Sequence, residues 1–313
     1  MTDSNQHSLA VNIISTMSDS NFDPSPLPEL LSSSTDNAQI TDSQYHRRFA
    51  GTQKLYGQSS FQNFERAHVY VIGVGGVGTW VAEGLARTGV GELTLVDLDV
   101  LVASNVNRQL PALDSTFGCS KIEVMAERIK QINPQVQIHL VDDFLTAENV
   151  ATLLPSREQM TQARQEQRSI IILDCTDDMS AKMAIALHCR FNKLKLICAG
   201  GAGGKTDPLQ VTVSDLKDSY QDPLLARLRS KLRHEKNINT QMKEKFGIRC
   251  VYSTQPPITE QVSHKNSQTS SNPQDAHCQL GGLHCGGYGS AVAVTATVGM
   301  VMVSEALMMI ASL

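Results

Sequence analysis

A glycine run, Gly73-Val74-Gly75-Gly76-Val77-Gly78, follows directly on the aliphatic stretch Val69-Tyr70-Val71-Ile72 and directly precedes a segment of helical character, Thr79 to Arg87. Glycines between a strand and a helix let the backbone turn sharply and approach a phosphate closely. The unpaired N–H groups at the helix start then favour negative charge. This is the opening unit of a doubly wound parallel sheet. Gly73, Gly75, Gly76 and Gly78 are therefore expected to hold a nucleotide.

The rest of the chain agrees with that opening. Short aliphatic runs alternate with segments of helical period, as in a parallel sheet covered by helices on both faces. The expected strands are His68 to Ile72, Glu92 to Asp97, Gln137 to Val141, Ser169 to Asp174 and Lys195 to Ala199. In the helix expected from Ser120, Ile122, Met125, Ile129 and Ile132 recur at three and four residues. The fold class is α/β: a Rossmann-like, mostly parallel sheet with helices on both faces. Residues 1–40 hold nine serines and few aromatics, a composition that cannot repay the entropy of ordering, and read as a disordered polar tail. Residues 41–313 read as one domain, interrupted at 255–279 by a polar stretch with Pro256-Pro257 and Asn272-Pro273 that reads as a mobile surface loop.

A net charge of −4 decides nothing about partners. Seven cysteines, an odd number with no C-x-x-C pair, point to a reducing cytoplasm, and no bound zinc is expected. The first 46 residues contain no Lys or Arg, so no basic targeting segment is expected there. Gly289 to Leu313 is apolar enough to raise membrane association, with Glu305 its only charge. The polar interruptions at Thr295, Thr297, Ser304 and Glu305 favour a buried helix without stable membrane insertion.

At the end of the second strand, Asp97 offers carboxylate oxygens where ribose hydroxyls would lie. Glycine loop plus Asp97 fits NAD as well as ATP. The remaining motifs separate the two: Asp97-Leu98-Asp99, Ser104-Asn105-Val106-Asn107-Arg108-Gln109, Gly118-Cys119-Ser120-Lys121 and Asp174-Cys175-Thr176-Asp177. A dehydrogenase has no use for an Asn, an Arg and a Lys converging on phosphates, whereas a triphosphate being split needs its charge met. Together these motifs resemble the ATP site of the ThiF/MoeB and ubiquitin-activating superfamily. The resemblance implies ATP as the nucleotide, with Asp97 on the ribose and Asn105, Arg108 and Lys121 on the phosphates. It also implies Mg²⁺ on Asp177, with Asp99 able to assist. It places an arginine before the first strand that reaches into the partner's site, and Tyr45-His46-Arg47-Arg48-Phe49 falls there. Arg48 is the first choice and Arg47 the alternative; either implies a homodimer.

Further motifs narrow the substrate. Arg48-Phe49-Ala50-Gly51, Ala199-Gly200-Gly201-Ala202-Gly203-Gly204, Asp207-Pro208 and Asp222-Pro223-Leu224-Leu225-Ala226-Arg227-Leu228-Arg229 resemble the tRNA threonylcarbamoyladenosine dehydratase family. That resemblance implies adenylation of the free carboxylate of the threonylcarbamoyl group on tRNA adenosine 37, followed by ring closure with loss of water. The alternative is activation of a ubiquitin-like sulfur carrier, in which case a sulfur-relay protein would dock. Asp215 to Cys250 contains nine Lys or Arg against five Asp or Glu, which suits tRNA and a solvated helix equally. Cys250 and Cys285 fall near cysteines of the family, some of whose sulfur-transfer relatives use a persulfide. Both also read as small buried hydrophobes.

Overall fold

The computed structural model describes residues 42–235, 245–258 and 288–312. The expected tail, most of the expected mobile insert, Cys278 and Cys285 lie outside the described residues.

Two helices, α1 (Asp42–Tyr56) and α2 (Gln58–Arg66), precede β1 (His68–Ile72). Then come α3 (Gly78–Arg87), β2 (Glu92–Val96), α4 (Lys121–Ile132) and β3 (Gln137–Val141). The second half runs α5 (Val150–Leu153), α6 (Arg157–Gln165), β4 (Ile170–Asp174), α7 (Met179–Asn192) and β5 (Lys195–Ala199). It continues with β6 (Val211–Asp215), α8 (Pro223–His234), β7 (Arg249–Ser253) and α9 (Val292–Ala311). The strands form one seven-stranded sheet in the order β3-β2-β1-β4-β5-β7-β6. All pairings are parallel except that of β6 with β7, which makes β6 an antiparallel edge. The chain leaves β1 toward β2 and β3, then returns to the other side of β1 for β4 and β5. The crevice between the ends of β1 and β4 is thus the switch point where ligands bind in such sheets.

The central strands β1, β2, β4 and β5 are buried on both faces, as their aliphatic runs predict, while the edge strand β3 is largely exposed. Val69 and Val71 of β1, Leu93 and Leu95 of β2 and Ile171 and Leu173 of β4 pack under α1, α2, α3, α4 and α9. The alternate residues Ile72, Val96, Ile170 and Ile172 pack under α6, α7 and α8. The five expected strands are present, with Asp97 and Ser169 just outside their ends. Two further strands, β6 and β7, complete the sheet; β7 is buried and β6 is half-buried along its length. Both α7 and α8 start from side-chain caps: Asp178 accepts the Ala181 N–H at 2.7 Å and Asp222 the Leu225 N–H at 2.9 Å.

The apolar C-terminal segment is the 20-residue helix α9, long and apolar enough to cross a membrane by composition. Here it covers the sheet. Val294, Val298, Met302, Ala306 and Ile310 are buried against α2, α3 and the central strands. Gly84 of α3 and Gly299 of α9 let the two helices approach: a Cβ on Gly299 would stand 2.9 Å from both the Val77 carbonyl oxygen and the Trp80 Cβ. Glu305, the one charge, is buried and accepts from Arg249 Nε at 2.6 Å.

Candidate active site

The glycine loop leaves β1 through Gly73, whose φ of +85° belongs to the left-handed region that favours glycine. A Cβ there would also press on the Cys175–Thr176 backbone at 3.1 Å. At Gly78 a Cβ would fall 1.8 Å from the Gly73 carbonyl oxygen, so the turn into α3 closes only without one. Gly75 faces open space, and the Arg108 side chain lies over Gly76, where a Cβ would meet it at 3.2 Å. The loop is a backbone cradle at the start of a helix with a guanidinium above it, an arrangement suited to a polyphosphate.

Asp97 joins the cradle to β2. Its Oδ2 accepts the Val74 N–H at 2.6 Å and its Oδ1 the Asp99 N–H at 2.9 Å, while a second lone pair on each oxygen remains for ribose hydroxyls. Burial pushes this carboxyl above the usual range, opposed by Lys121 and the two amide N–H groups. Lys121, the first residue of α4, is buried with its Nζ 2.7 Å from Asp99 Oδ2 and 3.8 Å from Asp97 Oδ1. Arg108 donates to the Ser104 carbonyl at 2.8 Å and to Asn107 Oδ1 at 2.9 Å, and its own carbonyl accepts from Trp80 Nε1 at 3.0 Å. Asn105 is buried and its Oδ1 accepts the Val102 N–H at 3.1 Å, shaping the turn that presents Arg108. Asp177 is exposed on the segment that leaves β4, next to the Cys175–Thr176 backbone against which Gly73 packs.

The four glycines, Asp97, Asp99, Asn105, Arg108, Lys121 and the Asp177 segment are thus gathered at one end of β1, β2 and β4. Arg48 is elsewhere. It donates to the carbonyls of Gln131 and Ile132 at 2.9 and 3.1 Å, where a cation meets the negative end of α4. Lys121 lies at the other end of that helix, roughly 17 Å away at 1.5 Å per residue. Arg47 is exposed and has no hydrogen bond or ion pair among the described residues.

The match to the model of the ThiF family extends over residues 45–313. The chain belongs to the ThiF family. Among ThiF relatives, the tRNA threonylcarbamoyladenosine dehydratase of Escherichia coli K12 is 41% identical over 266 residues, 84% of this chain and 93% of the relative. The Haemophilus influenzae enzyme of the same name is 40% identical over 262 residues, 83% of this chain and 92% of the relative. A crystal structure of the E. coli enzyme in complex with ATP aligns with a TM-score of 0.71 at 39% identity, over 87% of this chain and 97% of that chain. Its complex with AMP gives 0.70 at 40% identity over the same shares.

Three features of this ThiF site were not apparent from sequence. Beneath the Asp177 segment, Asp174 is buried with Lys182 Nζ at 2.9 Å on Oδ2, while Oδ1 accepts from the Thr176 N–H and hydroxyl at 3.0 and 2.7 Å. Cys198 Sγ lies 3.4 Å from the same Nζ. Burial drives the Lys182 ammonium toward deprotonation, but Asp174 and Cys198 outweigh it and hold the group charged. Across the crevice, Asp222 Oδ2 accepts the Gly201 N–H at 2.9 Å, and a Cβ on Gly200 would strike that oxygen at 2.3 Å. Lys205 is buried nearby with its Nζ 2.8 Å from the Ser253 carbonyl. In the basic stretch, Arg229 is half-buried and donates to the Leu216 and Ser219 carbonyls, so it braces the fold, while Arg227 and Lys231 are exposed.

Proposed function

We propose that the gathered residues act on ATP and a tRNA-borne carboxylate as follows. The chain is an ATP-dependent tRNA threonylcarbamoyladenosine dehydratase. The free carboxylate of the threonylcarbamoyl group attacks the α-phosphate of ATP and pyrophosphate leaves. A neighbouring nitrogen or oxygen of the same group then closes onto the acyl-adenylate, and the carboxylate oxygen departs with AMP. A carboxylate is a poor electrophile and its adenylate a good one, and a nucleophile already held close needs no catalytic Cys or Ser.

The observation that carries the residue assignment is the convergence of cradle, guanidinium and ammonium at the switch point. The backbone of Gly73 to Gly78 would bind the phosphates, Asp97 the ribose, and Arg108 with Lys121 the charge that develops as pyrophosphate leaves. Lys121, paired with Asp99, would turn to the phosphates when they arrive. Asn105 would reach them through its amide nitrogen, its oxygen being engaged by Val102. Asp177 is exposed beside the cradle, and with Asp99 it would supply carboxylate oxygens of the kind Mg²⁺ takes. When bound, that ion would add to the neutralisation of phosphate charge.

Arg48 or Arg47 would act on the partner's site in a homodimer. The engagement of Arg48 at the end of α4 makes Arg47 the freer of the two. A tRNA substrate is in keeping with a cytoplasmic enzyme and with the exposed Arg227 and Lys231. The test is incubation with ATP, Mg²⁺ and tRNA carrying threonylcarbamoyladenosine, followed by mass analysis of the nucleosides. ATP-dependent loss of about 18 mass units is expected from activation and ring closure. No loss, with pyrophosphate exchange appearing only on addition of a Gly-Gly-tailed carrier protein, would overturn the reading.

A further inference from the structure

At the end of the sheet opposite the glycine loop, strand register brings two imidazoles and a carboxylate together. His68 lies beside Glu92 and Tyr70 beside Thr94 in the β1–β2 pairing, and His139 lies beside Thr94 in the β2–β3 pairing. Alternate residues of a strand share a face, so all three side chains project to the side covered by α6. His68 Nδ1 is 3.2 Å and His139 Nε2 2.9 Å from the same oxygen, Glu92 Oε1. One ligand atom from each of the three residues lies within 4.8 Å of the others. Nitrogen and oxygen ligands stand about 3.3 Å apart around a tetrahedral Zn²⁺ with bonds of about 2.0–2.2 Å, so small side-chain shifts suffice to enclose an ion.

The surroundings of these three groups have the form of an outer ligand shell. His68 Nε2 is 2.8 Å from Thr94 Oγ1, which orients the ring and leaves Nδ1 toward Glu92. Glu92 Oε2 is held by Arg168, which orients the carboxylate. Arg168 opposes a cation, and Glu166 lines the same cleft. That cleft, about 240 Å³ in volume, opens beside His68 and Glu92 and provides room for a water on a fourth position. His139 is half exposed, giving access from solvent.

We propose that His68, Glu92 and His139 form a Zn²⁺ site that ties β1, β2 and β3 together, roughly 13 Å along the strands from the nucleotide. Two imidazoles select a borderline cation over the Mg²⁺ that serves the phosphates. No cysteine takes part, which is why cysteine spacing gave no sign of it.

The test is titration of the chelator-treated protein with Zn²⁺ by calorimetry and with Co²⁺ by visible absorption. One ion per chain and the strong band of low-coordinate Co²⁺ are expected. His139→Ala and Glu92→Gln should each weaken binding by at least about tenfold and remove the band, with ATP-dependent turnover retained. His139 is exposed enough that its variant keeps the metal-free melting temperature, so the test survives a folding defect in Glu92→Gln. An unchanged band in both variants would assign the ion to other ligands and overturn the proposal, as would the lack of any band.

Discussion

Arg108 and Lys121 are held differently, and their substitutions should differ accordingly. Arg108 is half-buried over the loop with backbone and Asn107 partners, so Arg108→Ala should lower kcat by about 10²-fold or more with an unchanged melting temperature. Lys121 is buried between two carboxylates, so Lys121→Ala should lose turnover and also melt earlier by a few degrees, as calorimetry would show. Lys182 is a sharper case. Lys182→Met leaves Asp174 buried without its cation and should cost about 3–5 kcal/mol in denaturant unfolding, with part regained in the Lys182→Met, Asp174→Asn double variant. The first two residues were legible because they stand in motifs, Ser104 to Gln109 and Gly118 to Lys121, that resemble a known ATP site. Lys182 was not: it stands among apolar residues of α7, and its partners lie 8 and 16 residues away. Arg48 was recognised by position, but its hold on the end of α4 depends on a contact 83 and 84 residues distant.

At the scale of elements, β1, β2, β4 and β5 were legible because burial along most of their length favours aliphatic side chains, whereas β3, expected too, is a largely exposed edge. The edge strand β6 lacked that character, being half-buried along its length and paired only to β7. The basic series on α8 was ambiguous for a related reason. Its residues point in different directions, Arg229 toward carbonyls and Arg227 toward solvent, and only the folded helix distinguishes them. The contact of α3 with α9 was invisible in sequence, since neither Gly84 nor Gly299 belongs to a motif. Gly299→Val should lower stability by about 1–3 kcal/mol in denaturant unfolding, because Val77 O is backbone and cannot yield.

For the whole molecule, the proposed action of Arg47 or Arg48 on the partner's site would have a consequence that mixing can read. A variant lacking both Arg47 and Arg48 and an Asp177→Ala variant should each be inactive alone, yet exchange of subunits should restore about a quarter of native turnover, since half the dimers carry one intact site. Turnover that stays absent after proven exchange would count against a shared site. The position of α9 in the chain bears on how the molecule is made. Every strand that it covers is translated before it, and roughly 3–12 seconds separate the end of β7 from the end of α9 at ribosomal speed. Throughout that interval the part of the sheet that α9 covers is open. The nascent chain would therefore be a natural client for chaperones that hold exposed strands, and an agent that delays the last helix would deplete the enzyme through aggregation without touching the nucleotide site.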